Sequence, residues 1–263
     1  MKLLLKLMYD GTHYAGYQAQ TDFPSVQTVL TEAVSECFGF PCSVTGCSRT
    51  DAGVHALGFV CAVEPRDRRD GEWLTVPIGR VHRALAKHLP DDISVSGEAE
   101  GDDSFHPRYS VKNKTYIYKM YDTPYSDPFF VNRAWHLRRV LTDDDIVRMN
   151  DGARFLIGRH DFTSFMAAGS KITDAVREIY SLDVHREKDG IVILSVTADG
   201  FLYNMVRIIT GTLVDIAAGT FTAEDVGRIL DACDRTAAGR TAPAHGLYLA
   251  DVCYDREINW TTV

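Results

Sequence analysis

The sequence predicts an α+β chain made of two similar halves, each an antiparallel or mixed sheet with helices on one face, and a central cleft between them. Three observations lead there. Alternating and helically spaced apolar runs follow one another as strand, helix, strand in residues 2–99 and repeat in outline from residue 115 onward. Lys188-Asp189-Gly190 stands between two alternating runs, which signals a hairpin and so antiparallel pairing. The chain also lacks a glycine-rich phosphate loop between a strand and a helix.

Residues 2–9 read as a Leu-rich strand ended by the turn pair Asp10-Gly11, followed by a polar and aromatic loop over 12–20. Ser25 offers an N-cap, and Val26, Val29, Leu30, Ala33, Val34 and Cys37 share one face of a helix running to about Phe38. Residues 41–45 form a short strand that runs into a polar loop, and 58–63 a strand that leaves it. Residues 66–72 are a charged excursion expected at the surface. Pro77 starts a helix with Ile78, Val81, Ala84 and Leu85 on one face, Pro90 stops it, and 93–99 alternates as a strand. The acidic connection 98–103 is the expected domain boundary, dividing the chain into 1–103 and 104–263.

The second half starts with a strand at 115–121. Thr142 and Asp145 form a capping-box pattern at the head of a helix over 142–156 with Ile146, Met149, Ala153 and Leu156 inward. Residues 176–186 and 191–198 are the hairpin strands. Helices follow at 203–218, with Met205, Val206, Ile209, Leu213 and Ile216 on the buried side, and at 222–233. A closing strand occupies 247–253.

The chain has 263 residues, 45% hydrophobic and 24% charged, which fits a globular protein with a substantial core and excludes disorder as its main state. Six scattered cysteines without CxxC pairs read as reduced thiols in a cytoplasmic protein. Cys42, Cys47, His55 and Cys61 lack the close pairs of a zinc site, so no metal is expected. Lys6 and Asp10 interrupt the apolar start, which is therefore not a signal peptide, and no segment is suited to cross a membrane. The net charge of −8 argues against a nucleic-acid partner, but phosphate binding depends on where the positive charges lie. Residues 104–121 contain no acid, and Arg108, Lys112, Lys114 and Lys119 are interleaved with Tyr109, Tyr116, Tyr118 and Tyr121. This is either a single-stranded RNA surface or an amphipathic strand with a solvated lysine face.

The densest chemistry lies in Gly46-Cys47-Ser48-Arg49-Thr50-Asp51-Ala52-Gly53-Val54-His55-Ala56, a loop with an arginine, a carboxylate, hydroxyls and an imidazole between two apolar runs. From these letters alone Asp51 either performs chemistry or caps a turn. Arg207 is the other outlier, a cation between Val206 and Ile208 in an apolar helix. It must reach an anion or snorkel to the surface.

Residues 48–56 resemble the signature of the tRNA pseudouridine synthase A family, and further matches follow in order along nearly the whole chain. Tyr9-Asp10-Gly11-Thr12 with Gly16-Tyr17-Gln18 is similar to the family's opening, where Trp is more common than Tyr17. Phe105-His106-Pro107-Arg108 through Lys114-Thr115-Tyr116, Asp161-Phe162-Thr163-Ser164-Phe165, Asn204-Met205-Val206-Arg207 with Gly211, and Ala244-His245-Gly246-Leu247-Tyr248-Leu249 resemble its later motifs. Ser48 stands where many members have Gly.

The resemblance implies the pseudouridine synthase fold, with RRM-like or ferredoxin-like halves. It also implies conversion of uridine to pseudouridine at positions 38 to 40 of the tRNA anticodon stem-loop, on a nucleotide flipped out of its stack. The N-glycosidic bond breaks, the uracil turns and rejoins through carbon 5, and no cofactor or metal is needed. On the matching positions, Asp51 would attack covalently or take a sugar proton, Arg207 would keep it ionised, and Tyr116 would stack on the uracil and assist proton transfer. Leu247 would lie under the ring, and Arg49 would handle phosphate or evict the base. Arg108 and Lys114 would bind substrate, and His55 would be structural or face the RNA. The family also implies a homodimer with tRNA spanning both subunits. Two rival readings fit the same sequence: a non-catalytic RNA-binding module on RRM-like halves, and a glycoside hydrolase, which would want a second carboxylate near Asp51.

Overall fold

The computed structural model describes residues 1–67, 73–169 and 172–262. In chain order the elements are β1 (Lys2–Tyr9), α1 (Val26–Phe38), β2 (Cys42–Gly46), β3 (His55–Pro65), α2 (Val81–Leu85), β4 (Ile93–Gly101), β5 (Val111–Tyr121), β6 (Trp135–His136), α3 (Asp143–Arg154), β7 (Gly158–Asp161), β8 (Val176–Arg186), β9 (Val192–Ala198), α4 (Met205–Ala217), α5 (Asp225–Ala232), β10 (Leu247–Tyr254) and β11 (Thr261–Thr262). They group into two compact units, Met1–Lys112 with Leu249–Val263, and Asn113–Tyr248.

These units differ from the division at residue 103. The motif after the acidic connection is tied into the first unit, where Phe105 packs against Tyr254 at 4.9 Å and the Tyr254 hydroxyl donates to Pro107 O at 2.9 Å. The strand expected to close the second half ends at Tyr254, and after the non-strand residues 255–260 the chain forms β11, whose Thr261 pairs with Glu98 of β4. Part of the charged stretch 66–72, residues 68–72, lies outside the described residues.

In the first unit the strands run β11, β4, β1, β3, β10, with β2 beside β3. The pairs β1–β3, β1–β4 and β2–β3 are antiparallel. Successive side chains of a strand alternate between faces, and Leu3, Leu5, Leu7 and Tyr9 of β1 are all buried on one face, whereas on the other Leu4 is buried between the half-buried Lys2 and Lys6. Helix α1 starts where Ser25 Oγ accepts the Thr28 N–H and ends at Gly39, which takes φ 77°. The cap contributes about 1 kcal/mol. Val26, Leu30, Ala33, Val34 and Phe38 form its buried face. The short helix α2 has no capping side chain of its own. The buried Glu98 of β4 supplies it instead, its carboxylate accepting Val81 N–H at 3.0 Å and lying 2.7 Å from His82 Nδ1.

In the second unit the order is β5, β9, β8, β7, antiparallel throughout, with the two-residue β6 parallel to β5. The β8–β9 hairpin turns at Gly190, φ 90°. The capping box of α3 is formed, and Asn150 fastens the helix to β8 by donating to Val184 O and accepting from Val184 N. Helix α4 is buried on nearly all sides, as its almost unbroken apolar sequence requires. Asp122, at the end of β5, is buried under a two-pronged ion pair with Arg186 at 3.0 and 2.8 Å, and also accepts Leu141 N–H at 2.8 Å.

Candidate active site

In the first unit the loop 47–54 links β2 to β3, and the rest of its neighbourhood braces it. Cys47 N–H donates to Val60 O at 2.9 Å, continuing the β2–β3 ladder beyond Gly46. The Val54 N–H donates to Asp51 O at 3.2 Å and Gly53 takes φ 75°, so 51–54 is a tight turn with glycine at the position needing a left-handed backbone. Asp51 is half-buried and Arg49 exposed, whereas Thr50 between them is buried. The loop therefore turns Thr50 inward and leaves Arg49 at the surface, with Asp51 between these extremes.

The opening motif forms the other wall of this brace. Tyr9 Oη and Thr50 Oγ1 are 2.8 Å apart, and Tyr17 N–H donates to Thr50 O at 3.1 Å. A Cβ on Gly11 would lie 2.0 Å from Val54 O, and one on Gly16, at φ 99°, would lie 2.4 Å from Thr50 O. The two glycines let the segments lie backbone to backbone. Tyr17 stacks on Phe59 at 4.2 Å over Gly46. Among the described residues its fully buried hydroxyl has no hydrogen-bond partner, and burial first, then the neighbouring Cys61 and Cys47, push its pKa up.

His55 does not lie in the loop. It is the first residue of β3, 1% exposed, with Nδ1 accepting Gly11 N–H at 3.0 Å and lying 3.1 Å from Asp10 Oδ1. Little of the ring reaches the surface of the unit.

Arg108 is half-buried on the turn before β5. His106 Nδ1 orders that turn by accepting the N–H groups of Arg108 and Tyr109 at 3.1 and 3.3 Å. Burial, helped by the Lys2 and Arg108 charges, lowers the His106 pKa, in keeping with a neutral accepting ring. Tyr109 is 79% exposed.

The second unit carries Tyr116, Lys114, Arg207 and Leu247. Tyr116 is 6% exposed on β5, opposite Val196 of β9, with the Phe201 ring edge-on at 5.0 Å. Lys114 is half-buried two positions earlier on the same face. The basic and aromatic strand differs from expectation in that Tyr118 and Tyr121 belong to the interior. Tyr118 donates to Pro243 O at 2.6 Å, and Tyr121 stacks on His136 at 4.5 Å. Lys119 lies over the Tyr248 ring at 4.4 Å, and burial lowers its pKa.

Arg207 does not snorkel loosely. Its Nε donates to Ala242 O at 2.8 Å, one terminal nitrogen donates to Asn204 Oδ1 at 2.7 Å, and its own carbonyl accepts Ala242 N–H at 3.0 Å. Asn204 caps α4 in a left-handed conformation, φ 60°, which places its amide one turn before Arg207. The segment Arg240–Ala242 lies so close to α4 that a Cβ on Gly211 would meet Arg240 O at 1.8 Å. Leu247, 6% exposed, opens β10 just after the 3-10 turn Ala244–Gly246. Asn204, quoted in the sequence only as part of a motif, and Phe201, not quoted at all, are site neighbours to which sequence reasoning gave no role. The three-residue spacing of Asn204 from Arg207 was the available signal for the first.

Among the described residues no group of His, Cys, Asp and Glu is arranged to hold a metal, and no helix is long and apolar enough to cross a membrane.

A family model for tRNA pseudouridine synthase matches residues 7–110 and 153–255. The chain is 40% identical, over 96% of its length and 99% of the relative's, to tRNA pseudouridine synthase A of Ruminiclostridium cellulolyticum. It is 42% identical to the enzymes of that name from Bacillus pumilus and Bacillus velezensis, over 97% of its length and the whole of each relative.

Proposed function

Because the chain belongs to the tRNA pseudouridine synthase family, whose members are isomerases, we propose that it converts uridine to pseudouridine at positions 38, 39 or 40 of the tRNA anticodon stem-loop. Membership of an enzyme family sets aside the non-catalytic RNA-binding module. Asp51 is the reacting carboxylate, acting on a flipped-out nucleotide whose N-glycosidic bond breaks and whose uracil rejoins through carbon 5 with loss of the C5 proton. Arg207 supplies the positive charge that keeps a carboxylate ionised, and its tethering to Ala242 and Asn204 suits a cation that must not wander. Tyr116 is the ring that meets the uracil, and Leu247 is the apolar surface beneath it. Arg49, Arg108 and Lys114 bind phosphate.

The observation that carries this reading is the bracing of a half-buried carboxylate by buried groups on both sides of it: Thr50 held at side chain and carbonyl, and Val54 closing the turn. A residue that merely capped a turn would not require its neighbours to be fixed from a separate strand and loop. In this proposal the enzyme works in the cytoplasm as a homodimer of about twice 29.3 kDa. A dimer lets an acidic chain gather its basic residues into one groove for tRNA.

The test is to map pseudouridine in tRNA from cells lacking this chain, with the wild type or Asp51→Ala returned. The reading expects loss at positions 38 to 40, restored by the wild type alone. Pseudouridine persisting there without the chain would overturn the site assignment, and restoration by Asp51→Ala would overturn the carboxylate's role.

A further inference from the structure

The hydroxyl pair Tyr9–Thr50 lies beneath the candidate catalytic loop and is not used in the chemistry above. Tyr9 ends β1 at the core of the first unit. It is 4% exposed, opposite Ala56 of β3, with its ring 5.7 Å from Phe59. Its hydroxyl is therefore presented from a rigid strand through a side chain with few torsions. Thr50, 7% exposed, meets it at 2.8 Å.

Threonine is stiff about χ1, so holding Oγ1 also constrains the backbone that bears it. The Tyr17 N–H holds the Thr50 carbonyl from the other side at 3.1 Å. With both ends of Thr50 fixed, the direction of the next Cα–Cβ bond, that of Asp51, is largely set. The turn closed by Val54 N–H on Asp51 O removes most of the remaining freedom.

We infer that the Tyr9–Thr50 hydroxyl pair aims the Asp51 carboxylate, which makes Tyr9 a positioning residue for the isomerisation. This rests on the reading of Asp51 as the reacting group. Catalysis depends on near-attack geometry, so loosening a carboxylate's support lowers the chemical rate while leaving phosphate and stacking contacts to the RNA in place. The two hydroxyls share one contact, so removing either of them breaks the same link between β1 and the loop.

The experiment compares Tyr9→Phe, Thr50→Val and the double variant in single-turnover release of tritium from C5 of uridine in an anticodon stem-loop RNA. Binding of the same RNA and thermal melting are measured alongside. Each single variant is expected to react about tenfold more slowly with Kd within twofold of the wild type, and the double variant no more slowly than the worse single. The proposal is overturned if either single variant reacts at the wild-type rate. It is also overturned if the two losses multiply to about a hundredfold, or if Kd weakens as much as the rate falls. Asp51→Ala in the same assay separates the two levels. Turnover by that variant would sink the carboxylate reading, whereas a silent Asp51→Ala beside a fully active Tyr9→Phe would sink only the aiming role.

Discussion

Replacing Gly16 by alanine tests how closely the opening motif supports the loop. The added Cβ would lie 2.4 Å from Thr50 O, where ordinary contact begins at 3.4 Å, so one backbone must retreat by about 1 Å. Gly16 lies at φ 99°, where an L side chain is strained, and the opposing atom is the carbonyl of the residue before Asp51. Strain alone costs about 1 to 3 kcal/mol of stability. The displacement is passed to the carboxylate, and a shift of about 1 Å at a reacting group lowers the chemical rate by roughly a hundredfold. Gly39→Ala is the matched control. Its φ is 77°, and nothing lies within 4 Å of the added Cβ, so it carries backbone strain without the collision. Single-turnover rates and melting temperatures for both variants decide the matter. Both should melt earlier, but only Gly16→Ala should be slow. A folded Gly16→Ala at the wild-type rate, or a Gly39→Ala slowed equally, would refute the reasoning.

Three further outcomes are expected. Tyr17→Phe removes a buried hydroxyl that has no partner among the described residues, so its melting temperature should equal or exceed that of the wild type, and a clear drop would mean the hydroxyl is satisfied. Burial works to raise the Asp122 pKa, but the Arg186 guanidinium and the Leu141 N–H outweigh it and hold the carboxyl below its ordinary value. A depressed folded pKa gives stability that is fully present above the unfolded value of about 4 and lost as pH falls through the folded one. Arg186→Met should therefore destabilise by about 3 kcal/mol at neutral pH, and the difference between variant and wild type, followed by chemical denaturation, should shrink only in acid. Finally, tRNA affinity should fall steeply with salt, and Arg49→Ala should reduce the slope of log K against log salt by about one, an unchanged slope removing Arg49 from the phosphate contacts.

Most elements were legible in the sequence because local signals and tertiary packing agree. The N-cap at Ser25, the capping box at Thr142 and the turn at Gly190 all form where the letters place them. Helix α2 is shorter than its apolar face suggested, since its start is set by the buried Glu98, a partner 17 residues away from Val81. Period-two alternation revealed that residues 115–121 form a strand but not which residues would be covered. Tyr118 is covered where Gly246 leaves room for its ring, 2.5 Å from an imagined Cβ, and that glycine is far away in the chain. The compact units divide after Lys112 rather than at 103 for a similar reason, as Phe105 and Pro107 are held by Tyr254, a partner far away in the chain.

At the candidate site, the sequence marks the candidate groups but not the contacts that support them. Asp51 and Arg207 stand out as a carboxylate in a glycine-bounded loop and a cation in an apolar helix. The carbonyl of Ala242 under Arg207 and the hydroxyl of Tyr9 under Thr50 are long-range partners that no spacing rule predicts.

The charge at Asp51 is the property on which the proposed isomerisation most directly depends. Asp51→Asn keeps the size and most hydrogen bonds of the side chain while removing the charge, so single-turnover tritium release from C5 of uridine in saturating enzyme isolates that one property. The variant should form no measurable pseudouridine while still binding the anticodon stem-loop within severalfold of the wild type. Turnover near the wild-type rate would contradict that dependence.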